Sequence, residues 1–272
     1  MSWEFSVHEV RSGEATIRYE VHGEGAPVML LHGFSSSFRR NWHGVGWTQL
    51  LVEHGRRVIG PDLRGHGRSS KFYTYDSYWP RLLCQDIAAV QDDAGASPCD
   101  LIGFSMGGGL ALQFALLFPE RVNRLVLAGI GDKVLRSPSI PMTPSVIAQA
   151  LEVEDPASIS SPVGKQFRLF AQKTANDLPA LAAMMRGPGW PGRVDDLRPL
   201  SVPTRVILAE HDTFMPETQR LRTLLPEAEF ITIPGTDHLS LVLSPEFKRL
   251  ASEFLAGDAL RQAPAAAATG LG

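Results

Sequence analysis

The sequence predicts an α/β fold in which a largely parallel sheet is flanked by helices and carries a helical insertion. Three observations predict it. Short runs that are apolar throughout recur along the chain, as strands buried on both faces require. Helical patterns alternate with them, which favours parallel strands joined by helical crossovers. One long interval, 131–203, breaks that rhythm with prolines, glycines and short helical stretches. The chain has 272 residues, 44% of them hydrophobic, and a net charge of -3. That length suits one α/β domain with an insertion and a large core.

The elements follow in order. FSVHEV and ATIRYEV alternate and read as an N-terminal hairpin. PVMLLHG (27–33), RRVIGPD (56–62), CDLIGFS (99–105), RLVLAGI (124–130), TRVILAE (204–210) and AEFITIPG (228–235) read as further strands, mostly buried ones. TQLLVEHG, RLLCQDIAAVQDDAG, MGGGLALQFALLFPE, PETQRLRTLLPE and SPEFKRLASEFLAG read as helices between and after them. Within 131–203, PSVIAQALEV, GKQFRLFAQKTA and LPALAAMMR form short helices of an inserted cap. The expected division is a core of 1–130 and 204–258, a cap of 131–203 and a flexible, low-complexity tail of 259–272. Right-handed crossovers put the strand C-termini on one edge, where ligand sites gather.

Composition narrows the function. The mild negative charge, with no Lys/Arg block, argues against a nucleic-acid partner. No apolar run reaches membrane-spanning length, so membrane insertion is not expected. The N-terminus lacks a basic-then-apolar signal pattern, and a cytoplasmic location is expected. Cys84 and Cys99 lie outside any metal-ligand spacing and read as buried thiols.

GFSMG (103–107) places Ser105 in the pattern G-x-S-x-G between a strand and a helix, the context the motif requires. A serine exposed on so tight a turn needs small neighbours two positions away on either side, and Gly103 and Gly107 supply them. The turn also frees the Met106 N–H at a helix N-terminus to stabilise an oxyanion. His32-Gly33 ends a strand, and the Phe34 N–H is a second candidate donor. His32 itself reads as structural. So do Asp62, Arg64 and His66 of GPDLRGHGRSS, which hold a Gly-rich loop. Serine is a weak nucleophile without an adjacent base. His238 follows one strand and Asp212 the strand before it, giving the chain order Ser, Asp, His expected for this motif. His238 can take the serine proton, and Asp212 can fix the histidine tautomer. Asp132 is a competing acid, and Asp237 a weaker one. His22, His43 and His54 read as surface or loop residues.

With HGF, PDLRGHGRSS, GFSMGG, EHDTFMP and GTDH in place, the sequence resembles the α/β-hydrolase fold superfamily over nearly its whole length. The resemblance implies a mostly parallel eight-stranded sheet with a cap after the sixth strand. It also implies Ser105, Asp212 and His238 as catalytic residues, and Phe34 and Met106 as the oxyanion hole. A serine nucleophile argues against the dehalogenase and epoxide hydrolase branches, whose nucleophile is an aspartate. Met106 stands where proline iminopeptidases show tryptophan.

The expected function is a serine hydrolase cleaving small, fairly apolar carboxylic esters through an acyl-enzyme on Ser105, with no metal or organic cofactor. Lactones, thioesters and carbon–carbon bonds are alternatives for the same triad, perhydrolase activity is a side reaction Phe34 keeps open, and a slow small-molecule receptor is an alternative of another class. Phe38, Phe167, Phe170, Met184, Met185 and Trp190 are candidate pocket residues. Residues 35–50 form a long loop after His-Gly, where Arg39 and Arg40 either meet a substrate carboxylate or stay solvated.

Overall fold

The computed structural model describes residues 4–135, 145–187 and 200–257. The strands are β1 (Phe5–Ser12), β2 (Ala15–His22), β3 (Ala26–Leu31), β4 (Arg56–Pro61), β5 (Cys99–Phe104), β6 (Val122–Ala128), β7 (Thr204–Ala209) and β8 (Glu229–Ile233). They form one eight-stranded sheet in the order β1-β2-β4-β3-β5-β6-β7-β8. β1 pairs antiparallel with β2, and β2 antiparallel with β4; every other pairing is parallel. β5 is buried along its whole length, whereas the edge strand β1 is largely exposed and the edge strand β8 partly so, and continuous apolar character marks the sheet centre.

The helices are α1 (Phe38–Asn41), α2 (Trp47–Glu53), α3 (Pro80–Asp93), α4 (Met106–Leu117), α5 (Val146–Glu152), α6 (Pro162–Lys173), α7 (Leu178–Met185), α8 (Gln219–Leu224) and α9 (Pro245–Ala256). Local chemistry starts several of them. Ser161 and Ser244 accept from N–H groups of the first turn while Pro162 and Pro245 occupy the position that needs no N–H. Asp177 caps α7 in the same way.

Two apolar layers sandwich the sheet. Met29, Leu31, Leu101, Leu125 and Leu127 face α3, α4 and α8. Val28, Leu30, Ile102, Val126 and Ala128 face α1, α2 and α9. Successive strand residues thus go to opposite layers, as the pleat dictates. Helices α5, α6 and α7 lie between β6 and β7 in the chain. Leu151, Ala171, Leu181 and Ala182 form a small apolar cluster of their own, with Phe34 and Met185 against it. Among the described residues, no helix is long and apolar enough to cross a membrane.

The strand order positions the site. β4 lies on one side of β3 and β5 on the other. The connections leaving β3 therefore diverge, and a crevice opens between the loops after β3 and β5. Those loops carry Phe34 and Ser105.

Residues 35–50 are not the open loop the sequence suggests. They contain α1, a 3-10 turn and the start of α2, and Phe38, Trp42 and Trp47 are fully buried in the sheet's second layer. His22 also departs from expectation. It is 3% exposed, hydrogen-bonded to Glu20 and stacked on Phe5. Its imidazole shares a face of β2 with Glu20, opposite the Ala15, Ile17 and Tyr19 face, and Glu20 satisfies it there. Cys84 and Cys99 are buried thiols.

Candidate active site

Ser105 follows β5 directly and precedes α4. Its backbone has φ 54° and ψ -117°, a conformation that costs a non-glycine residue on the order of 1–3 kcal/mol. The turn is held by the Ser105 N–H on Ala128 O (2.8 Å) and by the Gly109 N–H on Ser105 O (3.0 Å). The flanking glycines permit close backbone approach. A Cβ on Gly103 would stand 2.4 Å from Gly107 O, and one on Gly107 would stand 2.2 Å from Leu31 O. Backbone cannot yield as a side-chain tip can. Gly107→Ala is therefore expected to destabilise the fold by at least about 1–3 kcal/mol, read as a lower denaturation midpoint; an unchanged midpoint would contradict the close approach.

Three side chains form a relay. Ser105 Oγ lies 2.9 Å from His238 Nε2, and His238 Nδ1 lies 2.8 Å from Asp212 Oδ2. Asp212 Oδ1 accepts from the N–H groups of Phe214 and Met215, both at 2.9 Å. Burial alone would raise the Asp212 carboxyl. The bonds from His238 and these backbone groups outweigh that and hold it below the ordinary carboxylate value. An ionised Asp212 accepts from Nδ1–H, which leaves Nε2 as the proton acceptor facing Ser105. The competing carboxylates are engaged elsewhere. Asp132 accepts from the Arg220 and Leu221 N–H groups at the start of α8, and Asp237 closes a turn with Ser240.

The Phe34 and Met106 N–H groups have no protein acceptor among the described residues. Both residues line the same cavity wall as Ser105. The loop bearing Phe34 is braced from several sides. Asn41 Oδ1 accepts from the Gly33 N–H (3.0 Å), while Asn41 Nδ2 has no partner among the described residues. Ser35, at φ 57°, donates its N–H to His66 Nε2 (3.0 Å). Its hydroxyl meets Thr174 Oγ1 (3.2 Å), just beyond α6. Asn176 clips two core loops together, its Oδ1 accepting from the Gly67 N–H and its Nδ2 donating to Ser36 O.

His32 and His66 are structural braces, as expected. His32 bonds Gly33 O and accepts from the Leu63 N–H, and Arg64 forms a buried two-pronged pair with Asp86. Complete burial pushes the His66 imidazolium down to about 3, and it lowers His32 as well. An unfolded histidine titrates near 6.5. Between these values the unfolded chain binds protons that the folded chain refuses, so stability falls as pH falls through that window. Tm is expected to drop steadily from about pH 6.5 downward; a flat Tm to about pH 4 would show that these rings accept protons in place.

Two apolar cavities meet at Ser105 and Phe34. One, of 290 Å³, includes Phe104, Phe167, Phe170, Phe214 and His238 in its lining. The other, of 230 Å³, includes Leu83, Met106, Met184, Met185 and Met215. Of the candidate pocket residues, Phe167, Phe170 and Met184 line these cavities, whereas Trp190 lies outside the described residues. Phe38 does not reach these cavities. Its ring, 1% exposed, packs against Gly60, where a Cβ would stand 2.0 Å from it. Phe38 instead contributes to the wall of a separate cleft of 690 Å³, lined also by Arg18, Arg39, Arg40 and Arg68. Arg39 there is paired with Glu20 and does not face Ser105.

Sequence reading missed Asn41, Phe104, Phe214, Leu239 and Met215. A usable signal existed for most of them: Phe104 adjoins Ser105, Leu239 adjoins His238, and Phe214 and Met215 follow Asp212 within one turn. Among the described residues, no group of three or more His, Cys, Asp or Glu side chains is placed to hold a metal ion.

An eight-stranded, mostly parallel sheet with its site at the switch between β3 and β5 defines an α/β-hydrolase fold. The profile of the Alpha/beta hydrolase family matches residues 28–249, and the chain belongs to that family. It is 27% identical over 267 residues to a Bacillus subtilis protein that carries the name of a 2-succinyl-6-hydroxy-2,4-cyclohexadiene-1-carboxylate synthase, covering 88% of this chain and 95% of that protein. It is 39% identical over 120 residues to a 2-hydroxymuconate semialdehyde hydrolase of Pseudomonas sp., covering 42% of this chain and 41% of the relative. Among solved structures, a hydrolase from Pseudomonas aeruginosa is similar in fold, with TM-score 0.71 and 23% identity over 93% of this chain and 99% of that one.

Proposed function

We propose that this protein is a serine hydrolase of small, fairly apolar carboxylic esters. The observation that carries the reading is the unbroken relay from Ser105 through His238 to Asp212, opening into apolar cavities. In this reading Ser105 Oγ attacks the ester carbonyl carbon and its proton passes to His238 Nε2. The carbonyl electron pair moves to oxygen, where the Phe34 and Met106 N–H groups stabilise it. The intermediate collapses, the bond to the alcohol oxygen breaks, and that oxygen takes the proton from Nε2. Water then attacks the acyl-enzyme, gives its proton to Nε2, and the released acid leaves Ser105 reprotonated. Asp212 holds His238 in the needed tautomer and offsets its positive charge. Helices α5 to α7 act as the cap, because α6 and α7 supply cavity wall above Ser105.

Hydrolysis of p-nitrophenyl esters from acetate to decanoate tests the reading. Enzyme quenched during turnover should carry one acyl group on Ser105 by mass spectrometry. Ester turnover with the acyl group on another residue would reassign the nucleophile. Lactones and thioesters are accessible to the same steps. A second reading, hydrolysis of a carbon–carbon bond, is favoured by the 39% identity to the 2-hydroxymuconate semialdehyde hydrolase. Turnover of that relative's substrate, with no ester cleaved, would promote it.

A further inference from the structure

The stereochemistry of acyl transfer distinguishes the two cavities. In the tetrahedral intermediate the reacting carbon bears four groups: Ser105 Oγ, the oxyanion, the leaving oxygen and the acyl substituent. The oxyanion faces the Phe34 and Met106 N–H groups. The leaving oxygen must receive the proton held by His238 Nε2, so the alcohol lies on the histidine side. The acyl substituent takes the remaining direction. His238 lines the 290 Å³ cavity together with Phe214 and Leu239. The 230 Å³ cavity extends instead past Met106 and Gly109, along the first turn of α4, and His238 is not part of its wall.

We propose that the 290 Å³ cavity receives the alcohol and the 230 Å³ cavity the acyl chain, and that the matched substrates are esters of a flexible, unbranched acyl chain with an aromatic alcohol. This rests on the ester-hydrolase reading above. The walls differ in the way such a substrate requires. The alcohol side is a run of rings. Phe34 and Phe167 have centroids 5.9 Å apart, Phe167 and Phe214 5.7 Å, and Phe214 and His238 5.1 Å. The last two are edge-to-face, and an aromatic guest extends such a set through the same edge and face contacts. Phe104 also packs against His238, with centroids 5.2 Å apart. The acyl side is built from Met106, Met184, Met185 and Met215 with Leu63 and Leu110. Unbranched, polarisable methionines conform to a chain of variable length without presenting a rigid plane. The Tyr78 hydroxyl in that wall is already spent on Phe72 O (2.8 Å), so it makes no demand on the guest.

Two selectivity ratios test the assignment in the full-length protein. The first compares benzyl acetate with cyclohexylmethyl acetate, whose primary alcohols are of similar acidity and differ in the ring. The second compares p-nitrophenyl octanoate with p-nitrophenyl acetate. The wild type should favour the benzyl ester by about threefold to tenfold in kcat/KM. Met184→Trp should lower the octanoate-to-acetate ratio by at least about tenfold while the benzyl preference moves less than about twofold. Phe167→Leu should erase the benzyl preference and leave the acyl-length ratio in place. Leu83→Phe, which fills the acyl side from α3, repeats the first test should Met184→Trp fail to fold. Effects in the opposite pairing, or a variant that moves both ratios together, would overturn the assignment while ester hydrolysis itself stands. A wild type that cleaves none of these esters above the Ser105→Ala level would remove the ester reading, and the assignment with it.

Discussion

Ser105→Ala is expected to lower turnover of a p-nitrophenyl ester by about a million-fold, the scale at which serine-relay enzymes lose their nucleophile. The size follows from how the relay is built. In the proposed mechanism His238, held by Asp212, takes its first proton from the Ser105 hydroxyl, so without that hydroxyl the acyl-transfer route cannot begin. The free Phe34 and Met106 N–H groups still polarise a bound carbonyl, which leaves a residual rate above that in water. Alanine at 105 must adopt the same left-handed backbone, and it is as tolerant of that as serine. The variant should therefore fold, with a Tm close to wild type. Retained activity in pure variant protein would exclude Ser105 as nucleophile.

Asp212→Asn is expected to reduce kcat by about ten-thousand-fold with little change in KM. Asparagine keeps the shape but can present N–H to His238 Nδ1. The ring is then driven to the tautomer that carries its proton on Nε2, where it can no longer accept from Ser105. Asp132→Asn provides the contrast. That carboxylate caps α8 through two backbone N–H groups, so the variant should lose up to about 1 kcal/mol of stability and keep its kcat. Measuring kcat and the denaturation midpoint for both variants separates the two acids. A larger kcat loss in Asp132→Asn would reverse their roles.

Much of this arrangement was legible in the chain because local sterics and chain order dictate it. Gly103, Ser105 and Gly107 announce a turn whose backbone contacts exclude side chains. Asp212 and His238 each follow a strand, and strands that end on one sheet edge converge. The strand face pattern was also legible, since Leu30 and Leu31 must part to opposite layers whatever the sequence context. Phe38 and His22 were not. An aromatic side chain a few residues past His-Gly looks the same whether it faces ligand or core, and the difference lies in Gly60, distant in sequence, whose missing side chain makes room for the ring. His22 needed Glu20, two positions away on the same strand face, to be seen as buried. The cavity walls were partly legible, because α6 and α7 are visibly apolar, but which of their residues face Ser105 depends on how the insertion is seated.

That seating has a further consequence. The relay atoms all come from loops at the ends of β5, β7 and β8, whereas Phe167, Phe170, Met184 and Met185 belong to the stretch between β6 and β7. In the proposed reading the reacting groups all lie outside that stretch, while it supplies part of the wall that sets preference, beside Leu83, Phe104, Phe214 and Met215. Such a division lends itself to exchange: a foreign insertion could retune what is accepted while the core goes on doing the same chemistry. Asn176 and Thr174 set the terms of any exchange. They are the joinery by which the insertion grips the loop that presents the Phe34 N–H. A transplanted piece that lacks their counterparts would arrive with its own pocket and loosen the hole that the pocket serves.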